Sequence, residues 1–205
     1  GQNFNSHYLD IHYRSKHPDL INFSNAAFYK SRLIPKPPSQ NYCPIEFYSV
    51  KGRFVNQLNG DEARAIVNYI ETKINKTKSV GVATFSLKQK DNVLNELELR
   101  SKQSLSFYKK LEQLRANGLF VKNIENIQGE ERDIIIMGTT YGLDIDQSFK
   151  EYLGPINTKK RGHKLLNVII TRAIEKMVLF SSIPEVVFSN YKSLIEQNGN
   201  RGKSI

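Results

Sequence analysis

The alternation of apolar and polar positions predicts strands and helices that follow one another along the chain. Ile45 to Val50 alternates in the manner of a strand, and Ser79 to Thr84 forms a short apolar run typical of a buried strand. Asp133 to Thr139 contains four consecutive apolar residues, which favours a strand buried on both faces. Two further strands are predicted at Leu119 to Lys122 and at Met177 to Ser181.

Helical periodicity fills the stretches between these strands. Asp61 to about Lys76 carries one apolar stripe, with acidic residues near its start. A long tract from Leu87 to Asn117 is helical in pattern, with possible breaks around Ser101 to Ser106, and Gly118 is suited to its end. Further helices are predicted from Pro18 to about Lys30, from Lys164 to Ile174 and from Pro184 to Gln197.

Strands that are separated by helix-length connections require parallel pairing with crossover connections. The predicted fold is therefore a single α/β lobe, with a mainly parallel sheet and helices on both of its faces. Residues 1–44 form a lead-in helix and a connector extended by prolines, residues 45–197 form the lobe, and residues 198–205 form a mobile polar tail.

Composition narrows the possible partners and surroundings. The 205 residues carry a formal charge of +10, which favours polyanions such as nucleic acids without identifying one. Cys43 is the only cysteine and the sequence has no Cys/His cluster, so neither a disulfide framework nor a structural metal is expected. No secretory signal or membrane-spanning run is evident, and we therefore expect a cytoplasmic protein with no membrane partner.

Two polar features adjoin buried segments. A loop over residues 126–132, containing Gly129, runs into the apolar strand that follows, and open α/β sheets usually bind ligands beside such strands. A loop that is merely solvated remains an alternative.

Arg172 lies among apolar residues of the predicted 164–174 helix, and a buried guanidinium requires an anion or carboxylate nearby. A helix-end arginine that reaches solvent or pairs with Glu175 is the alternative.

Four segments resemble a known family, in the order in which that family has them. NIQGEERDIII at residues 126–136 and LNVIITRA at 166–173 resemble motifs V and VI of superfamily 1 helicases. LDIHYRS at 9–15 resembles the segment that opens the second RecA-like lobe, and SVGVATF at 79–85 resembles the segment that follows. The chain is identified as a member of the 1B-like DNA/RNA branch, closest to large bacterial helicase-like proteins of unknown role.

The resemblance implies specific roles around ATP. Tyr13 matches the aromatic residue that stacks near adenine, and Arg14 matches an arginine directed to the terminal phosphates. Gly129 and Glu131 match the nucleotide-facing positions of motif V, and Arg172 matches the arginine finger. Two planar guanidinium groups suit phosphoryl transfer because they stabilise negative charge on the oxygens of the transferring phosphoryl group. Glu131 could instead pair with a neighbouring base, either Arg132 or Lys122.

The resemblance also implies partners. Thr84, Phe85 and Asn123 fall where the family contacts single-stranded DNA or RNA, although the first two also suit the end of a buried strand. The sequence contains neither a phosphate-binding P-loop nor a magnesium-binding Walker B carboxylate. ATP and its Mg²⁺ are therefore expected to be held mainly by an N-terminal RecA-like lobe outside this chain.

One departure from the family concerns the start of motif VI. Lys164 and Leu165 stand where the family commonly has two arginines, which puts an auxiliary phosphate or interlobe contact in doubt. Three hypotheses follow: half of an ATP-driven helicase, inactive when isolated; an inactive nucleic-acid-binding or interaction module that kept the lobe; and an unrelated Rossmann-like enzyme. Tyr13, Arg14, Glu131 and Arg172 together favour the first, and the lack of a Gly-x-Gly-x-x-Gly fingerprint disfavours the third.

Overall fold

A five-stranded parallel sheet forms the centre of the chain, in a computed structural model that describes residues 11–12, 15–28, 34–35, 42–149 and 162–187. The strand order is β3-β7-β6-β4-β5, and a separate two-stranded parallel sheet joins β1 to β2. The strands are β1 (Ile11–His12), β2 (Ile34–Pro35), β3 (Ile45–Ser49), β4 (Val80–Thr84), β5 (Phe120–Asn123), β6 (Arg132–Gly142) and β7 (Ala173–Ser182).

Five α-helices surround this sheet in the described part of the chain. They are α1 (Asp19–Phe28), α2 (Gly60–Lys73), α3 (Leu87–Gln103), α4 (Leu105–Ala116) and α5 (Gly162–Ile170). A 3₁₀ turn at Ile124–Asn126 follows β5, and residues 185–187 are helical. The predicted single α/β lobe with a parallel sheet is confirmed. The remainder of the predicted 184–197 helix and the predicted tail lie outside the described residues.

Two apolar layers cover the opposite faces of the sheet. Ile134 and Ile136 point to one face, where they join buried residues of α2, α3 and α4. Ile135 and Met177 point to the other face, where they pack with Leu20 of α1 and with residues of α5. Alternate residues of a strand point to opposite faces, so a continuous apolar run in β6 is what a strand covered on both sides requires.

The α3–α4 segment bends at Ser104, within the interval where the sequence indicated a break. The Ser104 side chain accepts a hydrogen bond from the Phe107 amide and thereby caps α4. Its own backbone N–H bonds to the Arg100 carbonyl at the end of α3. The short serine side chain accepts a hydrogen bond from a free amide at the start of a helix. Serine therefore favours the start of a new helix over continuation of α3.

The predicted helix from Lys164 to Ile174 is wrong at its C-terminal end. α5 stops at Ile170, residues 171–172 form a turn, and β7 begins at Ala173 rather than at Met177. The reason is that Ala173 pairs with Arg132 at the start of β6. A run that is apolar on all sides is compatible with either a buried helix or a buried strand, so pairing with β6 decides the boundary.

A buried polar network joins the carboxyl end of the sheet to the start of α2. The Gln89 side chain accepts a hydrogen bond from the Asn59 N–H (2.8 Å) and donates one to the Asn59 carbonyl (2.9 Å). The Asn59 side chain caps α2 by accepting from the Glu62 N–H (3.1 Å) and donates to Ser182 Oγ (2.9 Å). Asn59, Glu62 and Gln89 are fully buried, and these bonds satisfy polar groups that would otherwise destabilise the fold.

Glu62 is a buried carboxyl that holds a strained part of β6. It accepts the Thr140 N–H at 2.7 Å, and Thr140 has a φ of 71°, which a β-branched residue rarely adopts. The Thr140 hydroxyl is buried and has no hydrogen-bond partner among the described residues. Gly138 leaves the space for this carboxyl, because a Cβ there would lie 2.7 Å from Glu62 Oε1. Burial raises the pKa of Glu62 to about 8, although the bond from Thr140 favours ionisation.

We predict that the wild-type protein loses stability as the pH rises and that Glu62→Gln prevents this loss. The pKa of Glu62 is above its ordinary value of 4.5. The contribution of Glu62 to the free energy of unfolding is therefore fully present below about pH 4.5 and is lost as the pH rises through about 8. Each pKa unit corresponds to about 1.4 kcal/mol, so above about pH 8 the variant should be more stable by on the order of a few kcal/mol.

Urea unfolding across this pH range measures the effect. Glu125→Gln, at an exposed position, is the matched control and should keep the wild-type pH dependence. An unchanged pH dependence in Glu62→Gln would show that this carboxyl is ionised in the folded protein.

Candidate functional site

The two polar segments singled out in the sequence meet where β6 and β7 begin. The Arg132 N–H donates to the Arg172 carbonyl at 3.2 Å, immediately before the strands start to pair at Arg132 and Ala173. This pairing brings the side chains of Glu131 and Arg172 together, with Glu131 Oε1 3.9 Å from Arg172 Nη1. The structure thus forms one site from the motif V and motif VI segments.

Arg172 is mostly buried, and local acceptors fix its guanidinium. Its side chain is 14% exposed. Nε donates to the Val168 carbonyl at 3.0 Å, and Nη2 donates to Thr171 Oγ1 at 3.2 Å. The negative group that the sequence requires near this arginine is present in Glu131. Glu175, the alternative partner, instead makes ion pairs with Lys16 (2.7 Å) and Lys78 (2.5 Å).

This site lies at the amino ends of the strands. The 126–132 loop precedes β6, and residues 171–172 precede β7, so both lie at the amino ends of parallel strands. Open α/β sheets usually bind ligands at the opposite, carboxyl, ends. That general rule therefore does not support a ligand at this edge, because the polar loop leads into its strand rather than leaving it.

Gly129 makes the turn on which Glu131 is carried. Its φ of +86° is in the left-handed region, and the Glu130 N–H closes the turn on the Ile127 carbonyl at 3.1 Å. No atom lies within 4 Å of the position that a Cβ would occupy, so the backbone at Gly129 is open to approach. A side chain at this position would be strained by its dihedral angles rather than by a clash.

Arg132 stabilises the 126–132 loop through side-chain hydrogen bonds to main-chain carbonyls, a role that the sequence did not indicate. Its Nε donates to the Gly118 carbonyl and its Nη1 to the Glu131 carbonyl, both at 2.7 Å. Its guanidinium carbon lies 4.9 Å from the centre of the Phe120 ring, and Nη1 lies 3.1 Å from Glu130. These contacts fix the Glu131 carbonyl and the Glu130 carboxylate, and they join the loop to Gly118.

Glu130 makes the ion pairs that the sequence allowed for Glu131. It contacts Lys122 at 2.6 Å and Arg132 at 3.1 Å. The hydrogen bond from Lys122 is the main reason why the pKa of Glu130 lies below its ordinary value. Glu131, which is 36% exposed, lies beside Arg172 instead. Two adjacent glutamates therefore have different roles, and their order in the sequence did not reveal which was which.

Tyr13 and Arg14, the other predicted nucleotide contacts, lie outside the described residues. The two residues that follow them are described and bond to the start of β7. Ser15 Oγ donates to the Ala173 carbonyl at 3.4 Å, and the Lys16 N–H donates to the Ile174 carbonyl at 2.7 Å. The two residues that directly follow the predicted contacts are thus bonded to positions within two residues of Arg172.

A recess with basic and acidic groups adjoins the site at the same edge. Lys16, Tyr42, Lys78 and Glu175 are among the residues that line it. Burial alone would raise the pKa of Glu175, but the hydrogen bonds from Lys16 and Lys78 outweigh burial and hold this pKa below its ordinary value. The carboxylate is therefore ionised at neutral pH, and the two lysines are held close to the start of β7.

The three predicted nucleic-acid contacts lie at the other edge of the sheet, at the carboxyl ends of β4 and β5. Thr84 and Asn123 are paired across these strands. Thr84 is fully buried and its hydroxyl donates to the Ser86 carbonyl, while Asn123 is 5% exposed and caps the 3₁₀ turn. Phe85 is 4% exposed and packs in the core. The structure brings the three residues to one edge, with their side chains turned inward.

Two kinds of feature are absent from the described residues. No group of three or more His, Cys, Asp or Glu side chains there could hold a metal ion. Among the same residues, no helix is both long enough and apolar enough to cross a membrane.

Comparisons with known proteins identify the class. A family profile described as an AAA domain matches residues 45–183. An uncharacterized ATP-dependent helicase of Mycoplasma genitalium is 37% identical over 181 residues, which cover 85% of this chain and 16% of that protein. A putative helicase, mov-10-B.1, of Danio rerio is 25% identical over 194 residues, covering 82% of this chain and 18% of that protein.

One solved structure gives a weaker match. It is the C-terminal domain of a possible DNA helicase from Lactobacillus, with a TM-score of 0.49 and 14% identity, covering 85% of this chain and 91% of that one.

The chain belongs to the AAA-domain family of the superfamily 1 helicase type, as its motifs predicted. The chain spans about 16% of the length of the first two curated relatives that it matches.

We predict that Arg132→Met destabilises the protein by about 1 to 3 kcal/mol, because several carbonyl and carboxylate acceptors lose a charged donor. Arg115→Met is the matched control: Arg115 is 41% exposed and its pairs with Glu98 and Glu112 are solvated, so its loss should cost less than about 1 kcal/mol. Chemical denaturation measures both variants. Equal losses would show that Arg132 does not hold the loop.

Proposed function

We propose that this chain is the C-terminal RecA-like lobe of an ATP-dependent helicase or translocase, and that Arg172 acts as its arginine finger. The observation that carries this proposal is the junction of β6 and β7, which sets Arg172 beside Glu131 at one edge of the sheet, two residues after the turn at Gly129. The family match and the helicase relatives support the class. The lobe would extend over residues 45–197, after a lead-in segment at 1–44 and before a tail at 198–205.

The side chains at this edge suit a nucleotide bound mainly elsewhere. Arg172 presents a guanidinium whose Nε and Nη2 are held by acceptors of the chain, so its orientation is fixed in advance. A fixed cation stabilises charge that develops on a transferring phosphoryl group without costly rearrangement. Glu131 accepts hydrogen bonds, which suits the hydroxyls of a ribose, and the open backbone at Gly129 allows a ligand to come close.

The remaining parts of the ATP site would come from outside this chain. An N-terminal lobe of the same protein would hold the phosphates and Mg²⁺, and Arg14 would supply a second cation while Tyr13 stacks on the base. Thr84, Phe85 and Asn123 would mark the edge that faces single-stranded DNA or RNA. An inactive module that binds nucleic acid or another protein is the alternative, and measured turnover separates the two.

We predict that Arg172→Ala in the full-length protein lowers ATP turnover about a thousandfold, with a much smaller effect on ATP binding. This is the behaviour of a contact made mainly in the transition state. Arg172→Lys should restore turnover only in part, because lysine lacks the planar fork that also bonds to Val168. The measurements are nucleic-acid-stimulated ATPase kinetics and nucleotide binding.

Thermal melting of the same preparations is the control, because Arg172 also makes structural hydrogen bonds. Some loss of melting temperature is expected in the alanine variant. A variant that is destabilised but turns over ATP normally per folded molecule would refute the finger assignment.

We predict that the 205-residue chain on its own has negligible ATPase activity, because its sequence has no P-loop and no Walker B carboxylate. A phosphate-release assay on the purified chain, with and without single-stranded nucleic acid, measures this. Robust turnover stimulated by nucleic acid would overturn the proposal that this lobe needs a partner lobe.

A further inference from the structure

One loop crosses the carboxyl edge of the sheet and covers the ends of its central strands. We call residues 50–58, between β3 and α2, the covering loop. The Val50 N–H bonds to the Ser181 carbonyl near the end of β7, and the Phe54 N–H bonds to the Leu143 carbonyl just after β6. Ser86, just after β4, donates from Oγ to the Gln57 carbonyl at 2.6 Å. The loop is therefore tied at three places along the edge.

The covering loop contributes to the burial of Phe85, one of the predicted nucleic-acid contacts. Three aromatic rings form a row from the core to the loop. The ring centres of Phe85 and Tyr141 are 6.2 Å apart, and those of Tyr141 and Phe54 are 5.0 Å apart. Phe85 and Tyr141 are buried, but Phe54, within the loop, is half-buried. A ligand that reaches this edge therefore meets the loop before it meets Thr84 or Phe85.

The covering loop presents polar and cationic side chains to solvent. Lys51, Arg53, Asn56 and Gln57 are all exposed. Asn56 and Gln57 have φ values of 53° and 70°, an unusual conformation for residues other than glycine, which the Ser86 bond helps to hold. Within residues 42–149 and 162–187, neither Lys51 nor Arg53 makes an ion pair. By contrast, Lys122, Arg132 and Lys176 elsewhere on the sheet are paired with glutamates.

Nearby groups determine the electrostatics of this surface. Asp144 lies next to Leu143, but its carboxylate accepts the amides of Asp146 and Ser148 and the Ser148 hydroxyl, so it is committed to its own turn. Asp61, at the start of α2, pairs with Arg64. The N-termini of α2 and α3 both lie at this edge, because each helix follows the carboxyl end of a parallel strand, and helix N-termini are favourable for anions.

We propose that the covering loop is a binding site for single-stranded nucleic acid, with Lys51 and Arg53 on the phosphates and Phe54, Asn56 and Gln57 beside the bases. Proteins that bind single strands combine cations that follow the backbone with aromatic and polar groups that meet the bases. The loop combines exposed cations and amides with the half-buried ring of Phe54, and the paired cations of the amino edge do not offer this combination. The inference extends the proposed function by assigning the strand to exposed residues that the motifs do not include.

The test measures binding of fluorescent oligonucleotides of about 20 residues, one DNA and one RNA, by anisotropy as a function of salt concentration. The protein is the full-length form, without ATP, so that the result does not depend on Arg172. The double variant Lys51→Gln/Arg53→Gln removes two cations. The control Lys73→Gln/Lys76→Gln removes two exposed cations at the end of α2, near the opposite edge of the sheet.

If the covering loop binds phosphates, the double variant should bind on the order of tenfold more weakly at low salt. The slope of log affinity against log salt should fall by about 1.4, since each phosphate contact to a single strand contributes about 0.7. The control should keep both values. Because the substituted side chains are exposed, melting temperatures should match the wild type; if they do not, Lys51→Glu alone should show the same weakening.

Two results would overturn the inference in different ways. Wild-type affinity and salt slope in the double variant would remove the covering loop as a contact, would leave the proposed function intact, and would favour a protein partner for this surface. Absence of binding by the wild-type protein at low salt would remove nucleic-acid contact from the proposed function as well.

Discussion

The parallel pairing of β6 with β7 is the interaction on which the candidate site depends. It starts with a single main-chain hydrogen bond, from Arg132 to the Arg172 carbonyl, and continues through most of both strands. Because β7 is adjacent to β6, the loops that lead into these two strands end side by side, although they are far apart in sequence. The Glu131–Arg172 contact is a consequence of this pairing, and Arg132 then fixes the loop through its contacts with Gly118 and Glu131.

The two edges of the sheet differ in their electrostatics. At the amino edge, charged side chains are close together and largely paired, as Glu175 with Lys16 and Lys78 shows. At the carboxyl edge, a buried network surrounds Glu62 and Gln89, and the loop above it carries Lys51 and Arg53, which make no ion pair with the residues that the structure describes. In the proposed function, a polyanion meets the second arrangement, and a fixed guanidinium within the first meets a small, localised charge that appears during the reaction.

Much of the fold could be predicted from the sequence because its strands are short apolar runs separated by amphipathic helices. The end of α5 could not, since Ile169 to Ile174 fits a buried helix as well as a buried strand, and only the neighbouring strand decides. The motif residues Glu131 and Arg172 were found from the resemblance. Arg132, Glu62 and the covering loop were not, because their roles depend on contacts such as those with Gly118, Thr140 and Leu143.

β6 also has a mechanical consequence. It extends from Arg132 at one edge to Thr140 at the other, a span of roughly 26 Å at the rise of a parallel strand. Strands pair with it on both sides and helices cover both of its faces, so it cannot bend or shorten easily. β6 therefore links the Arg132 end and the Thr140 end as one paired and covered strand, so the fold itself sets the distance between the Arg172 site and the covering loop.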